Sequence, residues 1–370
     1  MKNDENMKIK CCGYDIICGS CELKNIAKYV DFASYSSVII LTEKKIYNLW
    51  KNEINSAIKT KKIIQVDSGE CVKNIETAKK IWEQMIAFGA DRKSLLINIG
   101  GGMITDLGGF AASVYMRGID YVNCPTSLLA MVDASIGGKN GINFGEIKNI
   151  IGVFGHPKAV IIDINFLQTL EKREYISAFG EIIKHAIIFD KKYFNVLTRC
   201  NKIGNKKMLL KIIFRSLKIK KYIVEKDFKE KNIRKLLNFG HTVGHAFEAV
   251  AMSTDTPLLH GEAVALGMVI EAKIAEKMNM ASRNEVEKIV KILVKYGFEN
   301  TINSITICRI FSDKIDEILK IIKKDKKNEK AVIKMVLPTK IGTCKYNIDV
   351  CENQIKEVLK EYFYEKNVKN

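Results

Sequence analysis

The first 165 residues alternate between short apolar runs and amphipathic stretches. SSVIILT (36–42), KKIIQV (61–66), SLLINIG (94–100) and AVIIDI (159–164) have the length and β-branched content of buried strands, and YDIIC (14–18) reads the same way. Between them lie a polar helical stretch reaching about Thr60 and a helix over 72–89 with Ile75, Ala78, Ile81, Trp82, Met85 and Ile86 on one face. Strands and helices alternating at this spacing predict a parallel sheet with helices on both faces. Beyond Asn165 the pattern becomes helical, over 166–200, 205–226, 233–252, 260–280, 283–296 and 312–324, and strand pattern returns only at VIKMVLP (332–338). The expected fold is α/β: a Rossmann-like parallel-sheet domain over 1–170, a mainly α-helical domain over 171–370, and an active site in the cleft between them.

Composition narrows the function. The 370 residues are 47% hydrophobic and 28% charged, as in globular proteins with real cores. No apolar run approaches the ~18–20 residues that span a bilayer, and MKNDENMKIK at the start lacks the apolar stretch of a secretory signal. A cytoplasmic protein without a membrane partner is expected. The net charge of +18 raises nucleic acid, anionic membranes or a phosphorylated substrate. Its basic residues are scattered, thickest at 205–235 and 314–334, so they read as solvated surface and no nucleic-acid partner is expected. Among ten cysteines, Cys11, Cys12, Cys18 and Cys21 raise a zinc or redox site. There is no second CxxC, and Cys18 ends an apolar strand, where cysteine acts as a small hydrophobe.

Three segments carry candidate chemistry. In NIGGGMITDLGGF (98–110) a strand enters Gly100-Gly101-Gly102 and a helix follows, the arrangement that lets a diphosphate approach free backbone N–H groups. Its GxGxxT spacing is an imperfect dinucleotide fingerprint, and Asp106 is placed to meet a ribose or the nicotinamide end. In DASIGGKNGINFGEIKN (133–149) Lys139 and Lys148 flank a glycine-rich loop, a setting suited to anionic oxygens. Three of the five histidines, His241, His245 and His260, cluster in LLNFGHTVGHAFEA and LHGEAVALGM. Upstream, FGEIIKH (179–185) puts Glu181, Lys184 and His185 on one helical face. Two histidines and a carboxylate form a recurrent catalytic zinc set. Spacing alone favours His241 and His245 together, with Glu181 or His260 third.

GGGMITDLGGFAASVYMRG, PTSLLAMVDASIGGKNGIN, KNIIGVF, FGEIIK, LLNFGHTVGHAFE and LHGEAVALGM, in that order between about Tyr14 and Lys340, resemble the 3-dehydroquinate synthase family, second enzymes of the shikimate route to chorismate and the aromatic amino acids. The resemblance implies a zinc or cobalt ion, one per subunit, on Glu181, His241 and His260, which moves His245 off the metal. It implies Asp133, Lys184, Lys220, Asn238 and His245 as catalytic. Lys220, Arg234 and Asn238 are implied as readers of the substrate carboxylate, and Lys139, Asn149, His245 and Lys327 as readers of its phosphate. Arg117 is implied to reach the phosphate from a neighbouring subunit, hence a homodimer.

The implied NAD site uses Glu43, then Ser68, Gly69, Glu70, Cys71, Val72 and Lys73. It continues with Gly102, Met103, Ile104, Thr105 and Asp106, with Thr126, Ser127, Lys139 and Lys148, and with Phe166, Leu167, Gln168 and Thr169. Glu43 stands where the family often has Asp or Asn, Thr105 replaces a common glycine, and the 251–259 loop carries a few extra residues. The implied reaction takes the sugar phosphate 3-deoxy-D-arabino-heptulosonate 7-phosphate (DAHP) to 3-dehydroquinate and phosphate, through transient oxidation by NAD, β-elimination, re-reduction and intramolecular aldol closure. Alternatives are another sugar-phosphate cyclase, making a valiolone or a deoxy-inosose, and a glycerol-dehydrogenase-like alcohol dehydrogenase.

Overall fold

The computed structural model describes residues 7–145, 147–200, 205–252, 254–255, 257–325 and 332–368. The chain divides into two compact units, Met1–Glu171 with Gly204–Glu225, and Lys172–Ile203 with Lys226–Asn370.

In the first unit β1 (Met7–Cys11), β2 (Tyr14–Gly19), β3 (Ser37–Glu43), β4 (Ile63–Val66), β5 (Ser94–Gly100), β6 (Asp120–Pro125) and β9 (Ala159–Asp163) form one sheet in the order β1-β2-β9-β6-β5-β3-β4. All neighbours are parallel except the β1–β2 hairpin. Every residue of the interior strand β5 is buried, in keeping with its mostly apolar sequence. The helices are α1 (Lys44–Ala57), α2 (Ile75–Ala87) and α3 (Gly102–Val114), joined later in the chain by α6 (Lys206–Lys226). α2 starts at its first apolar position, Ile75, and not at the expected 72, because the Asn74 side chain accepts the Thr77 N–H and fixes the N-terminus there. Leu41, Ile64, Ile81, Met85, Leu96, Leu107 and Phe110 lie in the core under these helices.

Two expectations for this unit are corrected, and two of its strands were not read from the sequence. The glycine-rich segment 133–149, expected as a loop, begins with a π-helical turn (Ala130–Ala134) and runs on into a hairpin of β7 (Lys139–Phe144) and β8 (Ile147–Phe154). β1 and β6 carry mixed polar and apolar residues and had no strand signal strong enough to stand out. α6, expected in the helical half, goes with the sheet unit.

The second unit holds α4 (Lys172–Phe189), α5 (Lys191–Arg199), α7 (His241–Ala251), α8 (His260–Lys277), α9 (Arg283–Leu293), α10 (Glu299–Ile302), α11 (Ile305–Asp313), α12 (Ile315–Asp325), α13 (Glu352–Val368) and an antiparallel hairpin, β10 (Val332–Lys340) with β11 (Thr343–Cys351). Two expected helices are broken. The 166–200 stretch is a 3-10 segment (Ile164–Thr169), then α4 and α5, with Asp190 capping α5 through the Tyr193 N–H. The 233–252 stretch is interrupted where Gly240 adopts φ +79°, so Ile233–Asn238 is a separate 3-10 segment and His241 opens a new helix. α8 is buried on nearly every side, from Gly261 to Ala275, and is the core helix of the unit. No helix among the described residues is long and apolar enough to cross a membrane.

Candidate metal centre and nucleotide turn

Two glycine contacts on α8 assemble the histidine cluster. A Cβ on Gly180 would lie 2.4 Å from the Gly261 carbonyl oxygen, and one on Gly261 would lie 1.8 Å from the Ser177 carbonyl oxygen. Only bare backbone lets α4 and α8 cross this closely. Glu181 follows one of these glycines and His260 precedes the other, so the crossing brings the two side chains together. Gly240, Gly244 and Gly267 do the same for α7: a Cβ on Gly267 would stand 2.1 Å from the Gly240 carbonyl oxygen.

At the meeting point Glu181 is wholly buried, with His241 Nε2 at 3.4 Å and His260 Nε2 at 3.5 Å from the same carboxylate oxygen. Donors about 2.0–2.1 Å from one tetrahedral zinc ion lie roughly 3.3 Å from each other, so this spacing fits three ligands of a single cation. The other nitrogen of each ring is also engaged. His241 Nδ1 lies 3.2 Å from the Phe239 carbonyl, and His260 Nδ1 lies 3.4 Å from Glu248 Oε2. Such partners fix the tautomer and turn Nε2 toward the ion. Glu248 was not anticipated; its position three residues after His245 on α7 was the available signal.

Charge at the centre is divided unequally. Burial, helped by the Lys184 ammonium, holds His241 well below the usual imidazole range. Burial also opposes protonation of His260, yet Glu181 and Glu248 outweigh it and raise that ring to about 10. Lys184, itself buried, pairs with Glu181. His245 is exposed one turn beyond His241, their rings 5.1 Å apart and edge-on. A second donor set, His245, Glu248 and His260, shares His260. Among the described residues, no candidate metal set joins His241 to His245 as spacing had favoured.

Other expected side chains are fixed within their own units. Arg234 is buried, donates to the Phe228 carbonyl at 2.6 Å, and follows a turn held by the Asp227 carboxylate. Asn238 Nδ2 donates to Glu230 Oε1 at 2.6 Å, a carboxylate the sequence did not single out. In the first unit Lys220 donates to the Asp133 side chain at 2.6 Å and to its carbonyl, which ties α6 to the π-helical turn.

The glycine turn lies at a topological switch point. β3 leads outward to β4, whereas β5 leads the other way to β6, so the crevice beyond Glu43 and Gly100 is where such sheets bind ligands. Gly101 caps α3 without a side chain, and its N–H points to Glu43 Oε1 at 3.4 Å. The Thr126 N–H donates to the Gly100 carbonyl, and Ser127 Oγ accepts the Ala130 N–H. Ser68 to Cys71 are exposed, while Lys73 is buried and donates to Asp106 at 2.6 Å and to Asn149 at 2.5 Å. Burial alone would lower Lys73, but Asp106 and Glu70 keep it raised; burial raises Asp106, and Lys73 opposes that. The 3-10 segment with Phe166 and Thr169 is pinned to α1 by Trp50, through ring contact with Phe166 and a 2.9 Å bond to Thr169.

Lys139 is exposed at the start of β7, and Lys148 lies on β8. Arg117 is exposed at φ +69°, next to Met116 at φ +49°. Lys327 lies outside the described residues. Cys11, Cys12 and Glu225 come together as a small donor set, without Cys18 or Cys21, so the four-thiolate site is not formed. Burial raises Cys11 to about 12 and raises Cys18 further.

Comparison with known proteins matches two family profiles in succession, 3-dehydroquinate synthase N-terminal over residues 63–177 and 3-dehydroquinate synthase C-terminal over 178–328. The 3-dehydroquinate synthase of Dictyoglomus thermophilum is 42% identical over 352 residues, covering 94% of this chain and 92% of its own. Among solved structures, 2-deoxy-scyllo-inosose synthase complexed with carbaglucose-6-phosphate, NAD+ and Co2+ superposes with a TM-score of 0.86 at 24% identity, covering 96% of this chain and 99% of that one. The 2-epi-5-epi-valiolone synthase of Streptomyces hygroscopicus, with NAD+ and Zn2+ bound, gives 0.80 at 25% identity, covering 96% and 98%.

Proposed function

The chain belongs to the 3-dehydroquinate synthase family, and from that premise we propose which of its residues serve the family's reaction. The activity is that of a 3-dehydroquinate synthase, a phosphorus–oxygen lyase of the shikimate pathway that uses NAD and a divalent ion. Its substrate is a sugar phosphate, assigned here as DAHP.

Glu181, His241 and His260 are the residues to hold zinc or cobalt, with a coordination position left open for substrate oxygens. When bound, the ion supplies Lewis acidity and NAD a temporary hydride acceptor. Lys184, buried against Glu181, balances its charge and offers an ammonium to a substrate hydroxyl. Asp133, held by Lys220, takes up and returns a hydroxyl proton. Lys220, Arg234 and Asn238 read the carboxylate. His245, Lys139, Asn149 and Lys327 read the phosphate that leaves by β-elimination. Holding the substrate in one pose keeps each later step unimolecular. Glu43, the Gly102–Asp106 turn, Thr126, Ser127, Lys148 and the segments 68–73 and 166–169 are assigned to NAD; the switch-point position of Glu43 and Gly101 supports this.

Arg117 is assigned to a neighbouring subunit's phosphate site in a homodimer. In support, the β7–β8 hairpin exposes Phe144, Ile147, Ile150, Ile151 and Phe154, an apolar surface of the kind that subunit contacts cover. A cytoplasmic location is assigned together with this activity.

The observation that carries the reading is a buried carboxylate with two imidazole nitrogens at ligand-to-ligand distance, each ring oriented through its other nitrogen. Zinc-loaded protein given NAD and DAHP should release inorganic phosphate without net NADH, and should leave sedoheptulose 7-phosphate unchanged. Phosphate released from sedoheptulose 7-phosphate and not from DAHP would favour the other cyclases. Accumulating NADH would favour the dehydrogenase.

A further inference from the structure

α7 opens without a cap of its own. Its first residue is His241, and the preceding residue, Gly240, has no side chain to accept the N–H groups of the first turn. The cap's own N–H and one N–H of the first turn are accepted from another helix. Glu271 of α8, wholly buried, takes the Gly240 N–H on Oε2 at 2.7 Å and the Val243 N–H on Oε1 at 3.1 Å. One carboxylate thus grips the backbone on both sides of His241. A negative charge at a helix N-terminus is also favoured by the helix dipole.

The placement follows from helix geometry. Glu271 lies about three turns beyond His260, on nearly the same face of α8. The bare glycine contact of Gly267 with Gly240 brings the two helices close enough for a glutamate to reach across. A single rigid helix therefore carries one ligand imidazole and clamps the backbone that carries the other.

We propose that Glu271 is a positioning residue for His241: by holding the first turn of α7 it keeps His241 Nε2 aimed at the point where Glu181 and His260 Nε2 converge. The role rests on reading Glu181, His241 and His260 as the metal centre. The Phe239 carbonyl orients the His241 ring; Glu271 orients the backbone from which that ring springs.

The test uses the full chain and Co2+ as probe, read by binding titration and by the visible absorption of the bound ion, which reports ligand geometry. Glu271→Gln keeps the shape but puts an N–H against one of the two amides. It should weaken Co2+ binding by on the order of tenfold or more, alter the visible spectrum, and speed hydrogen exchange at Gly240 and Val243. Glu271→Asp keeps the charge and shortens the reach, and should act in the same direction if the glutamine variant does not fold. Phe247→Leu thins the core behind α7 without touching the clamp, and is the control for general loosening. Co2+ affinity within twofold of the parent in both Glu271 variants overturns the proposal, as does an equal loss in Phe247→Leu. His241→Ala binding Co2+ as the parent does overturns the metal assignment itself, an outcome distinct from either.

Discussion

At the scale of single residues, the proposed metal centre turns on Glu181. Spacing left the third ligand open because His241 and His245 share a helix, whereas Glu181 arrives from α4 through a crossing that no local pattern encodes. What sequence could show was the donor types; which nitrogens converge depended on the fold. Glu181→Gln and His260→Ala should each abolish retention of one ion per chain, and His245→Ala should retain it while losing phosphate affinity. Metal analysis after gel filtration, with phosphate competition, checks both. The raised His260 gives a signed pH dependence. In the metal-free chain its protonated ring contributes stability that is full below the ordinary imidazole value of 6.5 and is lost as pH rises toward about 10. Thermal melting of metal-free protein across that range should show the decline, and His260→Gln should flatten it. Since the ion needs a neutral imidazole, binding at pH 7 should release about one proton, measurable by calorimetry in buffers of different ionisation enthalpy.

At the scale of elements, the long buried strands and helices were legible, and the breaks were not. β3, β5 and α8 follow from largely apolar runs. The 233–252 periodicity passes through Gly240 without a gap, so the change of direction rests on one left-handed residue, and a glycine inside an apolar pattern does not announce it. The 133–149 segment reads as a loop because glycine and lysine mask its strand alternation. Conversely, Gly108 and Gly109 stand in the segment read as a diphosphate-binding turn, yet they serve packing. A Cβ at either would fall within 2.0 and 2.2 Å of the side chains of Asn98 and Asn140. The glycine of greatest consequence is Gly261. Gly261→Ala must push α4 from α8, at a cost of about 1–3 kcal/mol or more, and so should lower the urea midpoint and the metal stoichiometry together.

At the scale of the whole molecule, the family motifs conveyed the two-part plan. They gave no hint that α6 belongs with the sheet, because its apolar face looks like that of any core helix. The apolar hairpin was equally hidden, since exposure of Phe144, Ile147 and Ile150 is a property of the folded surface. If that hairpin joins two copies, Phe144→Asp with Ile150→Asp should convert a dimer to a monomer in sedimentation velocity without unfolding it. A last consequence belongs to α8. Because two of the proposed metal ligands depend on its crossings, an ion that binds only the folded chain would stabilise the fold built around that helix, by about 2.7 kcal/mol at a free-ion level one hundred times the dissociation constant. On that reading metal supply would set the lifetime of the protein as well as its turnover. A chelated sample should be cut by a protease at a concentration that the loaded one survives, and in a metal-starved cell the same vulnerability would clear idle enzyme.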